Sequence, residues 1–294
     1  MKILAIGFHA GALKSLEHII CNIDTWCVSA KEFPYNMTHD SALALWSKYK
    51  EKFNKYDVII TSDTTPLCRI FIEGGYRGKL IIWICNRFDY ADGSFRFGKE
   101  YYNLLRRASF DPSVRMASYS KYDKLYASRE DIIIDEVIKP TFMPVFNSPD
   151  GVYYIPDYQN NYTFDLGSKL PFQHKSGRHE EHELKDFYAI VHLPYHWQGV
   201  AEQKALQYCI PYYVPSKKLF FNLLATNKYW FQNKVDCYKY IDLCNFYDKD
   251  NKAVFYFDSL DDIKPLSVDR NGIFEYAQRL YELNRIKWRF LIWN

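Results

Sequence analysis

The sequence contains no run approaching the ~20 consecutive apolar residues that a membrane-spanning helix requires, so no span is expected and the protein should be soluble. It has little net charge: 38 Lys and Arg against 35 Asp and Glu leave +3. So even a balance gives nucleic-acid backbones and anionic membranes little bulk field to bind, and discrete sites should matter more. Cys-x-x-Cys pairs are absent, and the seven cysteines (Cys21, Cys27, Cys68, Cys85, Cys209, Cys237, Cys244) are scattered, several in apolar runs. That is the pattern of reduced, buried thiols and of a cytoplasmic compartment. There is no His-Glu-x-x-His, and Gly7-Phe8-His9-Ala10-Gly11 lacks the Gly-x-Gly-x-x-Gly that lets backbone approach a dinucleotide pyrophosphate. Both absences count against zinc hydrolases and against a Rossmann oxidoreductase or epimerase. No repeat of roughly 20–50 residues recurs, which disfavours solenoids and propellers.

What is present is apolar and aromatic: 48% hydrophobic residues over 294 positions, with 26 Tyr and 21 Phe. A chain of this length can bury one large or two moderate cores. Strand-like segments at 1–8, 25–29, 57–61, 79–85 and 114–118 alternate with helical stretches near 11–22, 39–53, 65–75, 97–109 and 120–127. Such alternation predicts a parallel, doubly wound α/β sheet. The first segment is too short for a signal peptide and reads as strand one. Residues 132–138 supply one more strand; Pro140, Pro144 and Pro149 with Asn147 and Ser148 then mark a boundary, giving domains 1–146 and 147–294. In the second half, a strand at 151–155 precedes the polar segment Gln173–Glu183, expected to open a helix or a mobile loop. A helix near 217–226, a strand at 253–257, a short helix from Asp258 and a long helix near 271–290 complete a second α/β half.

The densest signal lies at 187–216. Phe187–Val191 reads as a strand, His192-Leu193-Pro194-Tyr195-His196-Trp197-Gln198-Gly199 as a loop, Val200 onward as a helix, and Ile210–Pro215 as the next strand. In a parallel sheet such a loop lies at the carboxyl edge, where ligands bind. The first-turn N–H groups and the helix dipole suit a phosphate or diphosphate. Glu202, about one turn in, suits the two hydroxyls of a ribose; it equally suits a first turn that simply favours an acid. His192 and His196 offer ring donors and Lys217, after Ser216, a positive charge. Pro194 between the two histidines breaks the helix that would aim both at one metal ion.

Two α/β halves with the phosphate-binding helix in the second resemble the GT-B glycosyltransferases. The likeness rests on His192-Leu193-Pro194-Tyr195-His196, Gly199, Glu202, Ile210–Ser216 and Val254–Leu260 followed by a last helix. It implies two Rossmann-like domains facing a central cleft, an acceptor-binding first domain, a donor-binding second domain, and a final helix crossing back to the first. Within that fold, Leu80–Cys85 followed by Asn86-Arg87-Phe88-Asp89-Tyr90 is similar to a small chlorovirus-type xylosyltransferase and its plant relatives. The resemblance implies transfer from a UDP-sugar, UDP-xylose foremost, to a glycan hydroxyl, by inversion, in host cytoplasm if the protein is viral; the weakness of the metal-ligand patterns in the sequence gives the further expectation of no metal or other cofactor. Donor contacts would come from His192, Pro194, Tyr195, His196, Gln198, Gly199, Glu202, Ser216 and Lys217, and acceptor contacts from Thr64, Arg87 and Tyr90. Other glycan-building enzymes are conceivable partners.

Inversion needs a base at the acceptor hydroxyl. Strand ends in the first half leave His9, Asp63 and Asp89 as candidates. Asp63 in Asp-Thr-Thr-Pro also suits a helix N-cap, and Asp89 a structural pair with Arg87. The competing class is a non-catalytic nucleotide-sugar, carbohydrate or nucleic-acid binding protein.

Overall fold

Ile3-Leu4-Ala5-Ile6-Gly7, Val58-Ile59-Ile60 and Leu80-Ile81-Ile82-Trp83-Ile84 are almost uninterrupted apolar runs, as strands covered on both faces must be, and every residue in them is buried. The computed structural model describes residues 1–89, 98–146, 152–155, 174–176, 181–226 and 229–294. They divide into two units, Met1–Pro140 with Leu283–Asn294, and Thr141–Glu282.

The first unit contains β1 (Ile3–Gly7), α1 (Ala10–Ile19), β2 (Ile23–Cys27), α2 (His39–Phe53), β3 (Val58–Asp63), α3 (Arg69–Gly74), β4 (Lys79–Ile84), α4 (Gly98–Ser109), β5 (Val114–Ser118), α5 (Lys121–Ser128) and β6 (Glu136–Val137). Its strands pair in parallel throughout, in the order β2-β1-β3-β4-β5-β6. Helix starts follow local chemistry. Thr38 and Ser41 exchange side-chain bonds to each other's N–H at the head of α2, a capping box, and Gly75 ends α3 at φ +74 where a side chain would be strained. The core runs from Leu4 and Ile6 through Phe53, Phe71 and Ile82 to Met116.

The second unit contains β7 (Val152–Ile155), β8 (His174–Ser176), β9 (Phe187–Val191), α6 (Val200–Gln207), β10 (Tyr212–Pro215), α7 (Lys217–Ala225), α8 (Lys234–Tyr240), β11 (Val254–Phe257) and α9 (Arg270–Trp293), whose last residues belong to the first unit. Its sheet, also parallel, has the order β11-β10-β9-β7-β8. Read from β8, this is the same winding as the first sheet: second strand, first, third, fourth, fifth. The fold is therefore α/β with two parallel doubly wound sheets.

Two expectations need amending. The polar segment 173–183 yields strand β8 and, from Glu181, a 3-10 turn; the described part of it contains no α-helix. The units divide at Pro140, ahead of the predicted boundary after residue 146. The reason is that Val145 donates its N–H to the Gln207 carbonyl at 2.7 Å and Phe146 packs edge-on to Phe274, both in the second unit.

Candidate functional site

In a sheet ordered β2-β1-β3, the connections after β1 and β3 leave on opposite sides, and a crevice opens at their carboxyl ends. Gly7 and Ser62 are register partners there. A Cβ on Gly7 would lie 2.9 Å from the Ser62 carbonyl oxygen, so only glycine allows the two strand ends this close approach. One residue on, Asp63 closes β3 at φ +78, a conformation that costs a non-glycine residue about 1–2 kcal/mol. Its N–H is fixed by the Cys85 sulfur at 2.9 Å. Burial pushes the Asp63 carboxyl up to about 6. This is the pKa of a base usable near neutrality.

Asp63 is not the N-cap that its sequence suggests. Thr64 occupies that position on the following 3-10 turn and makes no side-chain cap bond. The hydroxyls of Thr61, Thr64 and Thr65 are buried beside Asp63 with no hydrogen-bond partner, a need that a bound ligand can meet. His9, two residues past Gly7 on the same edge, is exposed and caps α1, its Nδ1 accepting the Ala12 N–H at 3.3 Å. Cys85 and Tyr119, which sequence reasoning missed, surround Asp63; the thiol is held well above its ordinary value by burial and then by the Asp63 charge. Strand register was the signal, since Asp63 pairs with Ile84 and Cys85 is the next residue.

Asp89 has a different environment. It is buried, and its Oδ2 accepts from the hydroxyls of Tyr102 at 2.8 Å and Tyr126 at 2.9 Å. The Arg87 Nε lies 3.1 Å from Oδ1, off the direction of a hydrogen bond, while the guanidinium sits 5.0 Å over the Tyr126 ring. A carboxylate so engaged anchors α4 and α5 to the end of β4. Asp89→Ala should cost about 2–4 kcal/mol by stranding Arg87 and two tyrosines. Urea denaturation reads this as a lowered midpoint; a base would instead show normal stability and lost turnover. Tyr90 lies outside the described residues.

In the second unit the equivalent switch point falls between β7 and β9, and the loop His192–Gly199 leaves the carboxyl end of β9 there. Its shape is fixed from behind: the Tyr195 carbonyl accepts the Gln232 N–H, the Trp197 indole donates to the Gln232 carbonyl, and Tyr229 donates to the Pro194 carbonyl. His192 is buried between Tyr195, Tyr212 and Phe246, with Nδ1 2.8 Å from the Tyr212 hydroxyl. Burial, and then the neighbouring His196, lower its pKa to about 3, so it is neutral near pH 7 and brings no positive charge to an anion. Tyr195 and His196 are half-buried, rings 3.9 Å apart; Gln198 is buried.

Gly199 is the N-cap of α6, so that helix begins without a side-chain cap; α7, by contrast, is capped by Ser216 Oγ, which accepts the Leu219 N–H. The first-turn donors of α6 are thus left to something other than a capping side chain. Within that start sits Gln203, missed in the sequence, 2% exposed with neither amide atom hydrogen-bonded. Glu202 is 1% exposed and its Oε1 accepts from the Asn251 amide at 2.5 Å, tying α6 to the segment before β11. Lys217 forms an ion pair with Asp242, and Ser216 donates to Asp258 at 2.5 Å. The chain carries one Asp-x-Asp triplet, Asp248-Lys249-Asp250. It forms the turn that leads into the amino end of β11, with Asp248 Oδ1 accepting the Asp250 N–H at 3.2 Å. Among the described residues no three His, Cys, Asp or Glu side chains gather as metal ligands.

No family model matches the chain and no curated protein matches it. Solved structures do. The chain is similar to the glycosyltransferase SnogD from Streptomyces nogalater, at 8% identity over 99% of each chain and a TM-score of 0.41. It is similar to a protein assigned as a UDP-N-acetylglucosamine 2-epimerase from Listeria monocytogenes, at 13% identity over 98% of this chain and 96% of that one, TM-score 0.42. The S. aureus MnaA–UDP co-structure is a third, at 10% identity over 99% of this chain and 97% of that one, TM-score 0.40. No helix among the described residues is long and apolar enough to cross a membrane.

Proposed function

We propose that the protein is a glycosyltransferase of GT-B type that moves a sugar from a UDP-sugar, UDP-xylose first among them, to a hydroxyl of a glycan acceptor, with inversion and without a metal ion. The observation that carries this reading is the start of α6: a helix at a sheet switch point, without a side-chain cap, holding the buried, unpartnered amide of Gln203. A diphosphate would lie against the first-turn N–H groups, where the helix dipole stabilises the negative charge of the leaving group. Asp63, at the matching edge of the first sheet, is the base that takes the acceptor proton as the acceptor oxygen attacks the anomeric carbon and the bond to UDP breaks. The Thr64 and Thr65 hydroxyls support an acceptor rich in hydroxyl groups. His9, capping α1, is the second choice of base.

Calorimetric titration with UDP, UDP-xylose, UDP-glucose and GDP-mannose, with and without EDTA, tests the donor half. UDP-sugars should bind, unchanged by EDTA. Gln203→Leu should weaken UDP about tenfold or more, equivalent to about 1.4 kcal/mol, while leaving the melting temperature equal or higher, because it removes an unsatisfied buried amide. Glu202→Gln keeps an acceptor for Asn251 and isolates the carboxylate's contribution to ribose binding. Absence of all nucleotide-sugar binding would end the transferase reading; UDP binding with no transfer to any glycan acceptor would leave a nucleotide-sugar binding protein.

A further inference from the structure

The last helix presents an outward face that no part of the described chain covers. In its terminal portion Leu283, Ile286, Phe290 and Trp293 are 50%, 62%, 48% and 67% exposed. Their spacing of three, four and three residues lines them along one side of the helix. The opposite side is the buried one: Trp288, Leu291 and Ile292 are enclosed, and Asn284 donates to the Lys139 carbonyl at 3.2 Å. Four large apolar side chains in one stripe form a patch of the kind that marks an interaction surface.

Charge identifies the occupant. From Leu283 to Asn294 the chain carries Arg285, Lys287 and Arg289 and no Asp or Glu. Arg289 is exposed and has no carboxylate partner among the described residues, whereas Lys287 pairs with Glu136 at 3.1 Å. Two further cations, Lys79 and Arg115, reach the carbonyls of Ile292 and Asn294 at the helix end. Two copies laid stripe to stripe would bring like charges together, which opposes self-pairing. An apolar face with Trp and Phe, bordered by Arg and Lys, matches the interface of a bilayer with anionic headgroups.

We propose that this face docks the protein on an anionic lipid surface, the aromatic and aliphatic stripe entering the headgroup boundary and Arg289 meeting lipid phosphates. The local patch does this although the net charge of the whole chain is nearly even. The inference is independent of the sugar-transfer reading.

Co-sedimentation of the full chain with phosphatidylcholine vesicles and with mixed phosphatidylcholine–phosphatidylglycerol vesicles decides it. Binding should be about tenfold or more stronger to the mixed vesicles and should weaken with added salt. The double variant Phe290→Ser/Trp293→Ser should lose about tenfold or more of that binding while its circular dichroism and melting stay as in the wild type, both positions being exposed. Equal or absent binding to the two vesicle types overturns the proposal, as does a variant that binds like the wild type. Sedimentation velocity showing a wild-type dimer that the variant abolishes would also overturn it, assigning the face to a second copy.

Discussion

Asp63→Asn should reduce kcat for the proposed sugar transfer by about 10²–10⁴-fold, the range of a lost general base, with UDP affinity unchanged because the proposed donor contacts lie on α6 of the other unit. The pH profile adds a second readout. With the Asp63 carboxyl at about 6, kcat/KM in the wild type should rise with pH up to about 6 and level off above it, since only the carboxylate accepts a proton. The variant should lack that limb. Stability should move the other way. An unfolded aspartate titrates near 4, so between about pH 4 and 6 the folded protein binds a proton that the unfolded chain has released. Folding is therefore progressively penalised as pH rises through this window, with the full penalty above it. Two pKa units correspond to about 3 kcal/mol, which Asp63→Asn should recover near neutral pH; asparagine also tolerates positive φ. A variant that keeps its turnover removes Asp63 from the reaction; one that melts lower than the wild type at pH 7 speaks against the raised pKa of its carboxyl.

The first sheet was legible because the centres of β1, β3 and β4 are nearly uninterrupted apolar runs. Predicted and observed bounds for α2 coincide at 39 and 53, where Thr38 supplies an evident cap. Strand β8, His174–Ser176, was not legible: three polar residues carry neither alternation nor a hydrophobic run, and pairing with β7 alone makes them a strand. At the sites, sequence identified edges better than partners. The loop 192–199 was found because strand, loop and helix follow one another in the chain. That Asn251 would take one oxygen of Glu202, or Asp242 the charge of Lys217, depends on residues 49 and 25 positions away, and no local pattern encodes such pairings. Asp63 shows the same limit: Asp-Thr-Thr-Pro reads as a cap, and the left-handed backbone that shifts the cap to Thr64 comes from the close approach of β1, β3 and Cys85.

Trp288→Ala should cost about 3–5 kcal/mol, among the largest single losses available in this protein. The indole is 2% exposed on α9 and meets Trp83 edge to face, centroids 5.1 Å apart. Trp83 in turn donates its N–H to the Ile138 carbonyl at 2.9 Å and lies 4.3 Å from the Tyr119 ring. Removing Trp288 leaves a cavity that the rigid sheet cannot close, and Trp288→Phe should restore more than half of the loss by refilling most of it. Urea denaturation of both variants checks this. A consequence at the candidate base follows from the same contacts. Tyr119 and Cys85 are the buried groups coupled to Asp63, and the high Asp63 pKa comes from burial. Loosening the wall behind Tyr119 admits water to that carboxyl, so the acid limb of kcat/KM should shift in Trp288→Ala from about 6 toward the ordinary carboxylate range. An unmoved limb in a variant that has lost the expected stability would mean that the strand ends around Gly7 and Ser62, rather than the aromatic layer, keep Asp63 dry.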